Sequence, residues 1–444
     1  MSLWTASSIA TATGGTASAA FDATGVAFDS REVGQGDVFI ALAGEQTDGH
    51  RFLAQAFAQG AAGALVSQPI DQPHVLVGDT AAALDALGRA SRARSAATII
   101  GVTGSVGKTG TKEALFACLD RIRPGAVHRS VKSYNNHTGV PLSLARMPQD
   151  ARYGVFEMGM SHAGELRALT QLVRPHIAII TTVAAVHIEF FKDEAGIADA
   201  KAEIFEGLEP GGTAIIPFDN AHFARLAAVA ERHAGRIISF GRGAGADVRV
   251  LETMPVASGG TFVTAQLLGR ELSFTVSQPG DHWVLNALAV LAAVESAGGD
   301  VAVAGLALAD MGGLAGRGAR VSVAVGNGTA LLLDESYNAN PTSMRATLAV
   351  LGTEPAARKL AVLGAMGELG ARSADYHTDL AEPVLAAGVS RAILVGAAMA
   401  PLAKALEGRL ELVHVADAPA ALATLEAMLA PGDAVLIKGS NAVG

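Results

Sequence analysis

Gly104-Ser105-Val106-Gly107-Lys108-Thr109 combines flexible backbone, a compact cation and a hydroxyl in an order suited to gripping phosphate. Successive backbone N–H groups in a glycine-rich turn, backed by the positive end of a helix, make a cage for phosphate oxygens. Gly104 and Gly107 let the backbone come close, with Ser105 and Val106 between them. Lys108 is placed for the β and γ phosphates of ATP, and Thr109 can put its hydroxyl on Mg²⁺. The strict form of the motif carries glycine at 102, where this chain has Val102. The plainer reading is an ordinary strand–turn–helix junction. The β-branched run over 98–103 and the helical pattern over 108–119 favour the phosphate loop instead, because strand, loop and helix are the context it needs.

Two more residues stand where chemistry could use them. Glu157 closes an expected strand over 153–158, and His187 follows another over 176–183. In an α/β sheet the carboxyl ends of strands open onto the ligand crevice. A carboxylate there can hold Mg²⁺, which accepts oxygen ligands and tolerates one histidine. Lys201, in Asp199-Ala200-Lys201-Ala202-Glu203, reads by spacing alone as an exposed helix lysine among acids, worth ~0.3–0.5 kcal/mol.

Three stretches of chain must position these groups. Residues 1–95 read as a small α/β unit, with strands over 38–41 and 64–66, a helix over 50–59 and a helix over 80–97 leading out. Residues 96–315 alternate strands (98–103, 153–158, 176–183, 213–217, 236–240) with helices, which implies a largely parallel sheet. An antiparallel piece over 254–277 and a helix over 282–297 close this unit. Residues 316–444 start a second α/β sheet, with strands over 330–334, 360–363, 392–395, 412–415 and 434–437. The fold class is therefore α/β in three domains.

Bulk properties narrow the options. The chain has 444 residues and a net charge of −9, with its acids dispersed, which argues against a nucleic-acid surface. Its one cysteine, Cys118, excludes an internal disulfide and lies in an apolar run that suits a buried core position. No basic, apolar leader opens the chain, and the apolar region 287–311 is broken by Glu295, Asp300 and Asp310. The expectation is a soluble cytoplasmic protein with no membrane span.

Further segments carry a family resemblance. The phosphate loop, then Tyr134-Asn135-Asn136-His137-Thr138-Gly139-Val140-Pro141-Leu142, Glu157-Met158-Gly159 and Lys201-Ala202-Glu203-Ile204 together resemble the Mur ligases of peptidoglycan synthesis. Asp334-Glu335-Ser336-Tyr337-Asn338-Ala339-Asn340-Pro341 and Leu363-Gly364-Ala365-Met366-Gly367-Glu368-Leu369-Gly370 resemble the branch that joins D-alanyl-D-alanine to UDP-N-acetylmuramoyl-tripeptide. Asp29-Ser30-Arg31 and Asp48-Gly49-His50 match the family's opening uridine-nucleotide domain. The resemblance covers essentially the whole chain.

The resemblance implies a fold of three parts: a uridine-nucleotide domain, a central P-loop ATPase-type sheet and a Rossmann-like C-terminal domain. It implies an ATP-dependent amide ligase working through an acyl phosphate, with ATP and two Mg²⁺ ions. Lys108, Glu157, His187 and Lys201 become catalytic residues. Lys201 falls at the lysine that the family typically carbamylates, and Thr109, Glu157, His187 and Lys201 become the metal set. Asn286, Arg317, Asp334 and Glu335 match ATP-contacting positions; where the family precedes the asparagine with His-Asn, this chain has His282-Trp283. Ser30, Arg31, Asp48, Asn135, Asn136 and Thr138 fall on the UDP-substrate side, and Asn338 and Asn340 on the dipeptide side. Partners would be these small molecules, with the protein a monomer. Two alternatives stand: another amide ligase of the superfamily, adding diaminopimelate or glutamate, and a nucleotide-binding regulator that does not ligate.

Overall fold

The computed structural model describes residues 2–44, 47–257 and 259–443. In the first unit, helix Ala6–Thr13 is started by a capping box between Thr5 and Ser8. Five strands follow in the spatial order Thr16–Ala17, His74–Leu76, Gly63–Val66, Asp37–Ile40, Gly25–Ala27, parallel except for the first pair. Helix Thr80–Arg94 leads out of this unit. It stops three residues short of the expected end because Ser95 is already extended. Buried Arg92 on this helix donates to the carbonyls of Val173 and Arg174, each at 2.8 Å, and to Glu209 at 3.0 Å, tying the first unit to the second.

The central sheet has nine strands: Arg270–Val276, Thr261–Leu267, Val248–Pro255, Arg236–Gly241, Thr213–Pro217, Ile177–Ile180, Thr98–Thr103, Tyr153–Glu157 and Val127–Arg129. The seven from Val248–Pro255 to Val127–Arg129 are parallel, and Val248–Pro255, Thr261–Leu267 and Arg270–Val276 form an antiparallel meander as expected. That antiparallel part begins at Val248 rather than 254 and extends the parallel sheet. Apolar strands covered on both faces split the core in two. Helices Lys108–Ile122, Asp281–Ser296 and Val301–Asp310 pack on one face. Helices Gly139–Ala145, Glu165–Val173, Glu194–Ala202 and Phe223–Ala230 pack on the other. Val301–Asp310 was not anticipated; its Gly298-Gly299 break and Asp300 cap divide the apolar stretch. Cys118 is buried in the first of these cores.

Strand Thr98–Thr103 lies between its sequence-later neighbours, Tyr153–Glu157 on one side and Ile177–Ile180 on the other. The chain thus reverses its strand order there, which is where a doubly wound sheet opens its crevice. Register completes the placement: Glu157 pairs with Val102 and Ile180 with Thr103, so three strand ends converge on the loop at 104–107. Val102 is an interior strand residue with no exposed surface, so the departure from the strict motif falls in the core, not in the turn.

The third sheet runs Ala319–Val325, Gly328–Asp334, Asp433–Lys438, Arg358–Gly364, Val389–Val395, Glu411–Val415. All five expected strands are present in parallel, and an unanticipated edge strand, Ala319–Val325, pairs antiparallel with the first of them. Its mostly exposed side chains gave no apolar run to read. Among the described residues no helix is long and apolar enough to cross a membrane.

Candidate active site

The loop's geometry follows from its glycines. Gly104 has φ 148°, and a Cβ there would lie 1.9 Å from Thr181 Oγ1; Gly107 has φ 90°, with Asn286 Nδ2 2.8 Å from its Cβ direction. Side chains would strain both positions and block the close approach. Ser105 ties the loop to the next strand end: its N–H donates to Thr182 O at 2.8 Å, its hydroxyl donates to Ala184 O and accepts from Ala184 N, both at 3.0 Å. Thr181 Oγ1 donates to Val106 O at 2.5 Å. Lys108 folds back over the turn and donates to Gly104 O at 2.6 Å. Burial pushes the Lys108 ammonium's pKa down, while the Glu157 carboxylate opposes this.

Glu157 is buried, and both of its oxygens are engaged. Thr109 Oγ1 donates to Oε2 and Asn135 Nδ2 to Oε1, each at 2.8 Å. A hydroxyl and a carboxylate side by side under a phosphate loop are a donor set suited to Mg²⁺, which completes its shell with water and phosphate oxygens. His187 is held at φ 59°, and its Nδ1 meets the Glu368 carboxylate of the third unit. Burial depresses the His187 pKa and Glu368 pulls it back up, with the nearby Lys108 and Lys201 adding to the depression. Among the described residues no three of His, Cys, Asp and Glu converge on a point.

Lys201 overturns the reading from spacing. It is 2% exposed, forms no ion pair among the described residues, and burial together with Lys108 holds its pKa well below the ordinary lysine value. Its flanking acids turn elsewhere: Asp199 pairs with Arg225, and Glu203 accepts from Gly164 N and Arg167 N.

A cavity of about 860 Å³ opens between the central and third sheets. Ser105 to Lys108, Glu157 and His187 line the central wall, with Asn135 and Asn136 beside them. Trp283 and Asn286, one turn apart on helix Asp281–Ser296, stand at the loop's back; the Trp283 ring covers Gly110, whose Cβ direction meets it at 2.8 Å. Arg317, Glu335, Tyr337, Asn338, Asn340 and Lys438 line the facing wall. Arg317 stacks its guanidinium 3.9 Å over the Tyr337 ring, worth ~0.5–2 kcal/mol, and donates to Ser133 Oγ across the cleft at 3.2 Å. Burial raises the Glu335 pKa, and Lys438, 3.6 Å away, pulls it down. His282, at the rim, is pushed to a pKa of about 4 by burial and by Lys438, so it is neutral at pH 7.

Some expected residues lie off this cavity or do structural work. Asp334 accepts from Gly316 N–H at 2.8 Å and from Ser336, shaping the turn that presents Arg317. Asn340 is the N-cap of helix Pro341–Thr353, in a capping box with Ser343 worth ~1 kcal/mol. Asn136 Oδ1 accepts from the N–H groups of Thr138 and Gly139, starting helix Gly139–Ala145. Asn338 Oδ1 accepts from Ala339 N–H, and its carbonyl accepts from Lys438 Nζ at 3.0 Å. Ser30, Arg31 and Asp48 lie in the first unit, away from the cavity. Ser30 donates to Gln55, Arg31 is exposed and forks onto Asp29, and Asp48 holds His50 at 2.6 Å. Spacing missed Glu368, Lys438, Ser133 and His282. Of these, Glu368 and His282 lay within segments named from the sequence, without a role of their own.

Sequence and structure comparisons agree with this build. Family models match along the chain: the Mur ligase family catalytic domain over residues 22–95, the Mur ligase middle domain over 102–294 and the Mur ligase glutamate ligase domain over 316–441. The UDP-N-acetylmuramoyl-tripeptide–D-alanyl-D-alanine ligase of Escherichia coli is 36% identical, over 94% of this chain and 90% of that protein. A crystal structure of MurF from Acinetobacter baumannii superposes with a TM-score of 0.85 at 31% identity, covering 99% of this chain and 96% of that one. MurF ligase from Thermotoga maritima, solved in complex with ADP, gives 0.77 at 26% identity, over 94% of each chain. A glycine-cradled phosphate loop facing the third sheet, matched from end to end by these relatives, makes this chain a member of the Mur ligase family.

Proposed function

We propose that this protein joins D-alanyl-D-alanine to the terminal carboxylate of UDP-N-acetylmuramoyl-tripeptide, splitting ATP to ADP and phosphate. The observation that carries the reading is the cavity itself. One wall holds a phosphate loop with a buried Thr109–Glu157 pair, and the other brings Arg317, Glu335 and Lys438 to face it. End-to-end similarity to D-alanyl-D-alanine-adding ligases supports the choice of substrates.

A free carboxylate resists attack by an amine because oxide is a poor leaving group. Transfer of the γ-phosphoryl group to the carboxylate gives an acyl phosphate with a good one. That transfer depends on positioning and charge neutralisation. The loop N–H groups and Lys108 hold the phosphates, and Asn286 and Trp283 flank the base. The dipeptide amine then attacks the acyl carbon, the tetrahedral oxyanion collapses and phosphate leaves. Lys108 and Arg317 stabilise the charge that builds on these oxygens. Thr109 and Glu157, with His187 nearby, would hold Mg²⁺, which would supply charge neutralisation to the phosphates. Lys201 fits the family's modified lysine: burial disfavours its ammonium form, and once deprotonated the amine can add through nitrogen to CO₂ and lose a proton, leaving a carbamate. That carbamate would supply an extra carboxylate where, among the described residues, no third acid reaches.

In this reading residues 1–95 hold the uridine nucleotide through Ser30, Arg31 and Asp48, residues 96–315 carry out phosphoryl transfer, and residues 316–444 receive the dipeptide near Asn338. Asn135, Asn136 and Thr138 border the muramoyl peptide. Closure about hinges near 96 and 315 excludes water from the acyl phosphate. The protein works as a cytoplasmic monomer. Phosphate release from ATP is expected only when the UDP-tripeptide and the dipeptide are both present; equal release with the dipeptide omitted would overturn the assignment.

A further inference from the structure

Lys112 lies one helical turn beyond Lys108, is fully buried and neither lines the cavity nor touches Glu157. Its ammonium donates to the Ser130 carbonyl at 2.9 Å and the Lys132 carbonyl at 2.7 Å, and pairs with the Glu113 carboxylate at 2.9 Å. Glu113 is itself fixed by Arg129 at 2.8 Å, whose guanidinium lies 3.5 Å over the Phe116 ring. Both hydrogen-bond acceptors belong to one short stretch, residues 130–132. Lys132 there has φ 51°, a left-handed conformation that costs about 1–2 kcal/mol without an outside hold.

The stretch so held reaches Glu157 twice. The Ser130 hydroxyl accepts the Glu157 N–H at 3.1 Å, and Asn135 Nδ2 donates to Oε1 at 2.8 Å. Asn135 is anchored in turn by Gly159 N–H, at 2.7 Å to its carbonyl. The same stretch meets the other units: Lys132 and Tyr134 contact Glu32 of the first, and Ser133 accepts from Arg317 of the third. Lys112 is therefore the fixed post from which the 130–135 segment is hung.

We infer that Lys112 is a positioning residue for the metal-binding carboxylate, acting through the 130–135 segment to hold Glu157 against Thr109; this rests on reading Glu157 as a Mg²⁺ ligand. Such outer supports change metal affinity by about 10–100-fold when removed. The measurement is calorimetric affinity for ADP, once with Mg²⁺ and once with EDTA, in the full chain. In Lys112→Met the tightening given by Mg²⁺ should fall by at least about tenfold, with metal-free ADP affinity within about twofold of wild type. Ser130→Ala, which keeps every Lys112 contact, should lose about threefold of that tightening and decides the matter if Lys112→Met does not fold. Glu157→Gln is the control for the underlying reading and should lose the Mg²⁺ effect. Wild-type Mg²⁺ tightening in Lys112→Met and Ser130→Ala, with loss in Glu157→Gln, would overturn the inference alone. Equal weakening with and without Mg²⁺ would also overturn it, showing a purely structural role. Retention of the Mg²⁺ effect in Glu157→Gln would instead overturn the metal reading.

Discussion

The two walls of the cavity are built in different ways. The central wall is knit by backbone: strand Thr98–Thr103 pairs on both sides, Ser105 and Thr181 bind neighbouring carbonyls, and Glu157 is held at its N–H and both oxygens. The facing wall reaches the central one through a few contacts, mostly of side chains: Arg317 to Ser133, His187 to Glu368, and Glu189, which lies against Gly370 and whose N–H donates to the Glu368 carbonyl at 3.4 Å. Buried, mutually hydrogen-bonded groups resist displacement, whereas exposed ion pairs contribute ~0–1 kcal/mol each. In the proposed mechanism the contrast puts phosphate chemistry on the more tightly bonded wall and leaves the opposing wall to open for substrate and product.

The largest expected effect strikes the rigid wall. Lys108→Ala should lower turnover by about a thousandfold, since it removes the cation over the transferring phosphoryl group. UDP-substrate affinity by calorimetry should change by less than about twofold, because that site is read on the first unit. Loss of both would mean that the walls and the substrate unit are not separable. Next comes Lys201→Ala, with a drop of about a hundredfold in phosphate release. Short carboxylic acids should restore part of it by replacing the lost carboxylate, and unchanged turnover would remove Lys201 from the mechanism. The smallest effect tests the movable wall. Glu368→Gln removes one charge from the His187 contact and should cost about three- to fivefold in turnover, with ADP affinity nearly constant and a wider small-angle scattering envelope. A loss as large as that of Lys108→Ala would show that His187–Glu368 belongs to the chemistry rather than to closure.

The legible parts of this protein were those whose signal lies within a few neighbouring residues. The strands at 98–103 and 213–217 fell where β-branched runs put them, and the phosphate loop followed from glycines whose φ values only glycine adopts cheaply. Edge strand Ala319–Val325 escaped because its exposed side chains carry no burial pattern, and helix Val301–Asp310 because its apolar run merged with the helix before it.

Local sequence determined the alternation of strands and helices, the glycine cradle and the placing of Glu157 at a strand end. These depend on backbone sterics and on side-chain period, which act over a handful of residues. Tertiary structure alone decided that Lys201 is a buried amine whose pKa is held well below the ordinary lysine value and not an exposed surface lysine, that His187 meets Glu368, 181 residues away, and that Arg317 reaches Ser133 across the cleft. Desolvation and Coulomb interactions depend on distance in space, and folding sets that distance without regard to separation along the chain.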